Sequence, residues 1–483
     1  MKSKYLLFTL AVVLAGLPAV QAQKITKNKK KVIASVEEQQ DRLIEISDKI
    51  WSYAEKSLEE TQSSKTLSDY AEQQGFSVEK GVAEMPTAFI ASYGSGKPVI
   101  GILGEFDALP GLSQKAEPVK SPLEPGKPGH GCGHNLFGAA SLGAAVAIKE
   151  LIESGTLQGT VRFYGTPAEE LYGGKIYMAR EGLFDDLDVC MDWHPTDEIE
   201  SAVQSSQALI DFRVTYKGQA AHAAYDPWNG VSAVDALDLY SNGINYLREH
   251  VKPTVRIHTL IEKAGSVVNV VPEEAVMYTR VRDRDREGMY EVYEKVLKVA
   301  EGASIMTGAE YNVALISGMH EKLVNRTGGK ALQENLEALG PIEYTEEEQA
   351  FARKIQAATG KEQTGLNGAV HPLRETAPNP PGGSTDVGDV SWNTPVISLG
   401  VTSAPSGTPW HSWAVVACGG MSIGHKSVTY AAKALAMTMV DLYEDEKLVE
   451  AVQAEFNERK GNTKYEPILP EGPPPVPGVA SKD

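Results

Sequence analysis

Three apolar runs in this chain end in the same way. "KPVIGILGEFDALP" leaves its hydrophobic stretch for Glu105 and Asp107, "GTVRFYGTPAEE" for Glu169 and Glu170, and "DVCMDWHP" for His194. Each reads as a strand giving way to a loop at a carboxylate or imidazole. Helical stretches such as "AASLGAAVAIKELIES" run between them. Strands alternating with helices imply an α/β fold around a mostly parallel sheet. Such sheets carry their sites at the carboxyl ends of the strands.

The pattern changes near residue 206. "ALIDFRVTYKGQ" alternates like an antiparallel strand, and the chain from there to about residue 318 reads as an inserted β-α-β-β-α-β module. The α/β pattern occupies 35–205 and resumes over 319–457. Residues 458–483, "EPILPEGPPPVPGVASKD" among them, are proline-rich and expected to be extended or disordered. At the other end, "MKSKYLLFTLAVVLAGLPAVQAQ" has two lysines, a short apolar run and small residues, the pattern of a secretory signal peptide over 1–22. Residues 23–34 read as a basic linker. No later stretch looks long and apolar enough to cross a bilayer, so the expectation is an exported protein, periplasmic or secreted.

Net charge is −18 over 483 residues. That acidity argues against nucleic acid or an anionic membrane as partner. Three cysteines in a chain of this length are no disulfide framework. Cys190 and Cys418 sit in apolar contexts and read as buried small side chains, with a bridge between them left open.

The third cysteine stands apart. "GHGCGHN" places His130, Cys132 and His134 in one glycine-rich turn. Thiolate, imidazole and carboxylate are the side chains that divalent transition metals use. With Glu170, His194 and His411 of "GTPWHSW", Cys132 and His134 make five candidate ligands, each where a strand meets a loop. Paired glutamates add a division of labour: one can bind metal while its neighbour moves protons. A cysteine nucleophile would leave the histidines and the acidic pair without a role. His250, His258, His320, His371 and His425 have no motif around them and are read as structural.

"GEFDALPG", "GHGCGHN", "PAEE", "GQAAHAA", "NVVPEEA" and "PGGSTDVGDVSW" follow one another in this order. From about residue 35 to 455 the chain resembles the co-catalytic metallopeptidases that include aminoacylases, carboxypeptidase G-type enzymes, indole-acetyl-amino-acid hydrolases and aminobenzoyl-glutamate hydrolases. The resemblance implies two divalent ions per subunit, zinc or manganese. Cys132 would bridge them, with His134, Glu170, His194 and His411 as further ligands and Glu169 as general base. Asp107 and Glu105 would support the ligands, as would His130; Glu105 stands where other branches have a histidine ligand, and Asn135 where many have aspartate. The inserted module resembles the family's lid and dimerisation domain. There His222 would polarise the scissile carbonyl in the partner subunit's site, while Asn269 and Arg282 would hold the substrate, the arginine by a carboxylate.

The implied function is hydrolysis of the amide of an N-acyl or N-aroyl amino acid, of the aminobenzoyl-glutamate type, by a homodimer or a pair of paralogous subunits. A dipeptidase or broad N-acyl-amino-acid deacylase is the alternative. A non-catalytic partner subunit would lack Glu169 or a ligand, and every such position is filled.

Overall fold

The run "VIGILGE" is buried at every position, as a strand covered on both faces must be. The computed structural model describes residues 25–377 and 382–478. The first strands are β1 (Ser77–Lys80), β2 (Phe89–Ser95), β3 (Val99–Glu105), β4 (Gly159–Thr166), β5 (Val189–Thr196) and β6 (Glu200–Ser201). Then come β7 (Ala208–Lys217), β8 (Arg256–Ala264), β9 (Glu274–Asp283) and β10 (Glu310–Met319), before β11 (Val396–Thr402) returns to the first body. The larger sheet has the order β1-β2-β4-β3-β5-β11-β6. Its four central strands, β4, β3, β5 and β11, are parallel. Antiparallel β2 and β6 flank them, with β1 on the outer edge.

Helix His134–Glu153 packs across this sheet. Every residue from His134 to Lys149 is buried. Small residues permit that closeness: a Cβ on Gly138 would lie 2.8 Å from the Glu105 carbonyl oxygen, and one on Gly143 would lie 2.4 Å from Leu43. This helix corrects one sequence expectation. It is long and apolar enough to cross a membrane, yet 89% of its apolar window is buried inside the protein. Its hydrophobicity therefore serves the core.

The second sheet, β10-β7-β9-β8, is wholly antiparallel. Helices Ala233–Leu247 and Arg286–Thr307 cover one face and share a separate core with it. The order of strands and helices is β-α-β-β-α-β, a ferredoxin-like unit inserted between β6 and β11.

Both ends differ from the sequence expectation. The signal-type segment 1–22 lies outside the described residues. The stretch 23–34 is not a linker beyond its first few residues: Thr26 caps a helix from Lys27 to Tyr53, and Lys29 is buried 2.7 Å from Asp441. Helix Glu446–Lys460 runs into the tail, whose proline-rich residues pack rather than float. Tyr465 Oη donates to Asp389 at 3.0 Å, Ile468 is buried in the core of the inserted unit, and Arg180 donates to the Gly472 carbonyl at 2.8 Å. Cys190 and Cys418 are buried and unbridged.

Candidate active site

Strand ends and one turn build the site. Glu105 closes β3, Glu169 and Glu170 follow β4, and His194 lies near the end of β5. Gly133 makes the turn that starts helix His134–Glu153. Its φ is +81°, and a Cβ there would lie 2.8 Å from Pro195. Only glycine takes that conformation without cost, so the turn can set Cys132 on one side and His134 on the other. Two non-glycine residues also adopt left-handed backbone here, Ala168 at φ 63° and His411 at φ 54°. Such strain gathers at functional sites.

His134 is central. Its Nδ1 lies 2.9 Å from Asp107 Oδ1, and its Nε2 lies 2.9 Å from Glu105 Oε2. Glu105 Oε2 is also 3.4 Å from His194 Nε2. Asp107 is held in turn by the Ser57 hydroxyl at 2.8 Å and the Glu170 amide at 3.0 Å. Two groups of ligand atoms, each within 4.8 Å of one another, therefore share His134: Glu105, His134 and His194, and Cys132, His134 and Glu170. His411 reaches Glu170 at 3.5 Å. Cys132, Glu169, Glu170, His194 and His411 line one cleft of about 530 Å³ beside Arg282.

Electrostatics make this cluster unfavourable by itself. Burial, then the neighbouring Glu105 and Glu170, pushes Glu169 well above the usual carboxylate range. Burial, with Asp107 and Glu105 adding to it, takes Glu170 to about 8. Burial also pushes the Cys132 thiol up to about 12. Glu105 Oε2 and His134 Nε2 are buried without a hydrogen-bond partner, which native structures seldom tolerate. Crowded carboxylates, a thiol and an orphaned oxygen facing an orphaned nitrogen are what divalent cations would satisfy. The donor set fits such ions.

Several positions stand differently from the sequence reading. Glu105, read as a supporting residue, turns Oε2 into the cluster, while its Oε1 takes the Lys175 ammonium at 2.6 Å. Asn135 does not orient His134. It donates to Ser47 and the Gly419 carbonyl, and Asp107 does the orienting. His130 is buried and donates from Nε2 to the Ile50 carbonyl at 3.0 Å. Burial and the charge of His134 take it down to about 4.

His222 and Asn269 are not among the cleft's lining residues. They sit together on loops of the inserted unit, where the Ala223 amide donates to the Asn269 carbonyl. His222 Nδ1 accepts from the amides of Ala224 and Tyr225 at 3.2 and 3.1 Å, so Nε2 carries the hydrogen of the neutral ring. That donor is exposed. Motif reading missed Lys175 and Asp386, joined at 2.7 Å and wholly buried. Asp386 lay inside a quoted motif; Lys175, in "GGKIYMAR", carried no signal.

Comparison with known proteins decides the family. Residues 101–473 match the model of peptidase family M20/M25/M40. The chain belongs to that family. It is 39% identical over 475 residues to one of the subunits of the p-aminobenzoyl-glutamate hydrolase of Escherichia coli, covering 92% of this chain and 98% of that one. It is 29% identical over 445 residues to the human Xaa-Arg dipeptidase, covering 87% and 90%. Among solved structures, a dinuclear metal-binding M20 peptidase of Bacillus subtilis superposes with a TM-score of 0.57 at 20% identity, over 84% of this chain and 99% of that one. An aminobenzoyl-glutamate utilization protein of Klebsiella pneumoniae gives 0.56 at 17%, over 84% and 98%. This M20 chain is a metal-dependent amidohydrolase or peptidase, with a catalytic and a lid domain.

Proposed function

We propose that this chain cleaves the amide of an N-acyl or N-aroyl amino acid, with Glu169 as general base. The observation that carries the reading is the mixed lining of one cleft. It holds the buried Glu169 beside the thiol, imidazole and carboxylate cluster, and it also holds Arg282, whose buried Nε has no hydrogen-bond partner among the described residues. An arginine fork without a partner suits a carboxylate, and the substrates named for the E. coli and human relatives each carry one.

Cys132, His134, Glu170, His194 and His411 would hold two ions, with Glu105 Oε2 close enough to join them. Zinc suits the thiol and imidazoles, and manganese suits the carboxylates. Bound there, the ions supply Lewis acidity at the scissile carbonyl and to water. The protein's own residues do the rest. Asp107 holds His134 by Nδ1, leaving Nε2 for the cluster. Arg282 fixes the substrate by its carboxylate. Glu169 takes a proton from the attacking water and passes it to the leaving nitrogen. Burial, and then crowding by Glu105 and Glu170, raises its affinity for that proton.

His222, with its exposed Nε2–H, is not among the residues that line its own cleft. We read it as a donor to the carbonyl oxygen in a second copy's site, which makes the working unit a dimer. The leader-like segment 1–22 supports an exported location.

Metal-loaded protein should be assayed on amides that vary the acyl group and the amino acid separately. Turnover of acyl amino acids that falls 10²-fold or more in Glu169→Gln, with metal content kept at about two ions per chain, is the expected result. Full activity of that variant would remove Glu169 as base.

A further inference from the structure

Among the described residues, Arg282 is not the only cation of the cleft without an ion pair. Arg280, beside it, is held by two hydrogen bonds to Asp211. Lys322 also lines the cleft, and among the described residues it makes no ion pair. Its Nζ donates to the Ser398 hydroxyl at 3.1 Å. An ammonium has three donors, so two remain free for a ligand.

The lysine is held firmly. Its amide donates to Ser206 Oγ at 3.0 Å, and its carbonyl accepts from Ser205 Oγ at 2.6 Å. These bonds tie together the two strands of chain that connect the domains. Both cations line the same cleft, and register sets them two strands apart on the inserted sheet. Arg282 of β9 stands opposite Leu209 of β7, and Leu209 opposite Met319 of β10, three residues before Lys322. Burial pulls Lys322 below the usual lysine range, against the attraction of Asp192 and Glu200. Asp192 reaches the ammonium through the Ser398 hydroxyl, which accepts from Nζ and donates to Asp192, so among the described residues an anion in the cleft would be the first direct charge partner of Lys322.

We propose that Lys322 selects the amino-acid half of the substrate by binding its side-chain carboxylate, while Arg282 holds the α-carboxylate. The assignment rests on the N-acyl-amino-acid reading above and adds its side-chain class. Acidic amino acids fit. Neutral ones leave the ammonium without a partner, and cationic ones are repelled by it.

The test uses one acyl group, 4-aminobenzoyl, on glutamate, glutamine and arginine. It compares the metal-loaded wild type with Lys322→Gln and Lys322→Arg. Charge-assisted hydrogen bonds of this kind are worth about tenfold or more. The wild type is expected to favour glutamate over glutamine by about that factor in kcat/KM. In Lys322→Gln that ratio collapses toward one, mainly through KM, and Lys322→Arg keeps most of it. Binding of free glutamate against glutamine to the same proteins, by calorimetry, gives the discrimination without turnover. A wild type that turns over all three amides equally overturns the assignment and leaves the amidohydrolase reading standing. So does a Lys322→Gln variant that slows all three by one factor, since Lys322 would then only brace Ser398. A wild type that cleaves none of these or other acyl amino acids fails the reading and the assignment together.

Discussion

At the level of single residues, the site is a balance of buried charge. Lys175 is fully buried between Glu105 and Asp386, at 2.6 and 2.7 Å. Removing one partner of such a group leaves the others charged and unmatched, at a cost of about 3–5 kcal/mol. Lys175→Met should lower stability by that amount in denaturant unfolding, and should loosen metal binding because Glu105 loses its anchor. Cys132→Ser should lower metal occupancy and activity together, since serine stays protonated where a thiolate would bind. Elemental analysis beside a rate assay checks it, and full occupancy in the variant would remove Cys132 as ligand. The ligand candidates were visible in the sequence because their side-chain types are rare and stood at strand ends. Lys175 and Lys322 were not, because a lone lysine outside any motif looks like any surface lysine. Only the fold shows which carboxylates surround it.

At the level of elements, the turn before helix His134–Glu153 carries the most information for its size. Gly133→Ala must force a left-handed alanine and press its Cβ on Pro195. Strain of this kind costs about 1–3 kcal/mol. The variant should lose both stability and metal affinity, because the same turn spaces Cys132 from His134. Thermal unfolding with and without metal separates the two, and an alanine variant with unchanged metal affinity would show that the turn does not set the ligands. Alternating strands and helices made both sheets legible, since buried parallel strands and half-exposed antiparallel ones differ in period. The first turns of the helix from Lys27 escaped notice because "KNKKK" looks solvated. Lys29 is nevertheless buried on Asp441, and the apolar residues that make the helix pack begin only at Val32.

At the level of the whole molecule, the proposed dimer has a direct test. His222→Ala and Glu169→Gln should each be inactive. Mixed and allowed to exchange, they should recover toward about a quarter of wild-type activity, since about half the dimers are mixed and each has one complete site. Exchange confirmed by mass without recovery would put His222 outside the partner's site. A second whole-molecule feature was hidden by composition. Proline-rich sequence suggested a loose tail, yet Leu469 packs against Ile176 of the catalytic domain and against Leu209 and Met319, where the inserted unit joins it. Ile468 fills the inserted unit's own core. The inserted unit is therefore finished by residues that leave the ribosome long after its own last strand. Although its strands and helices lie in mid-chain, its core stays open until the second half of the catalytic domain has been made, and a chain cut short before Ile468 would present an open apolar seam to the quality-control machinery of the cell.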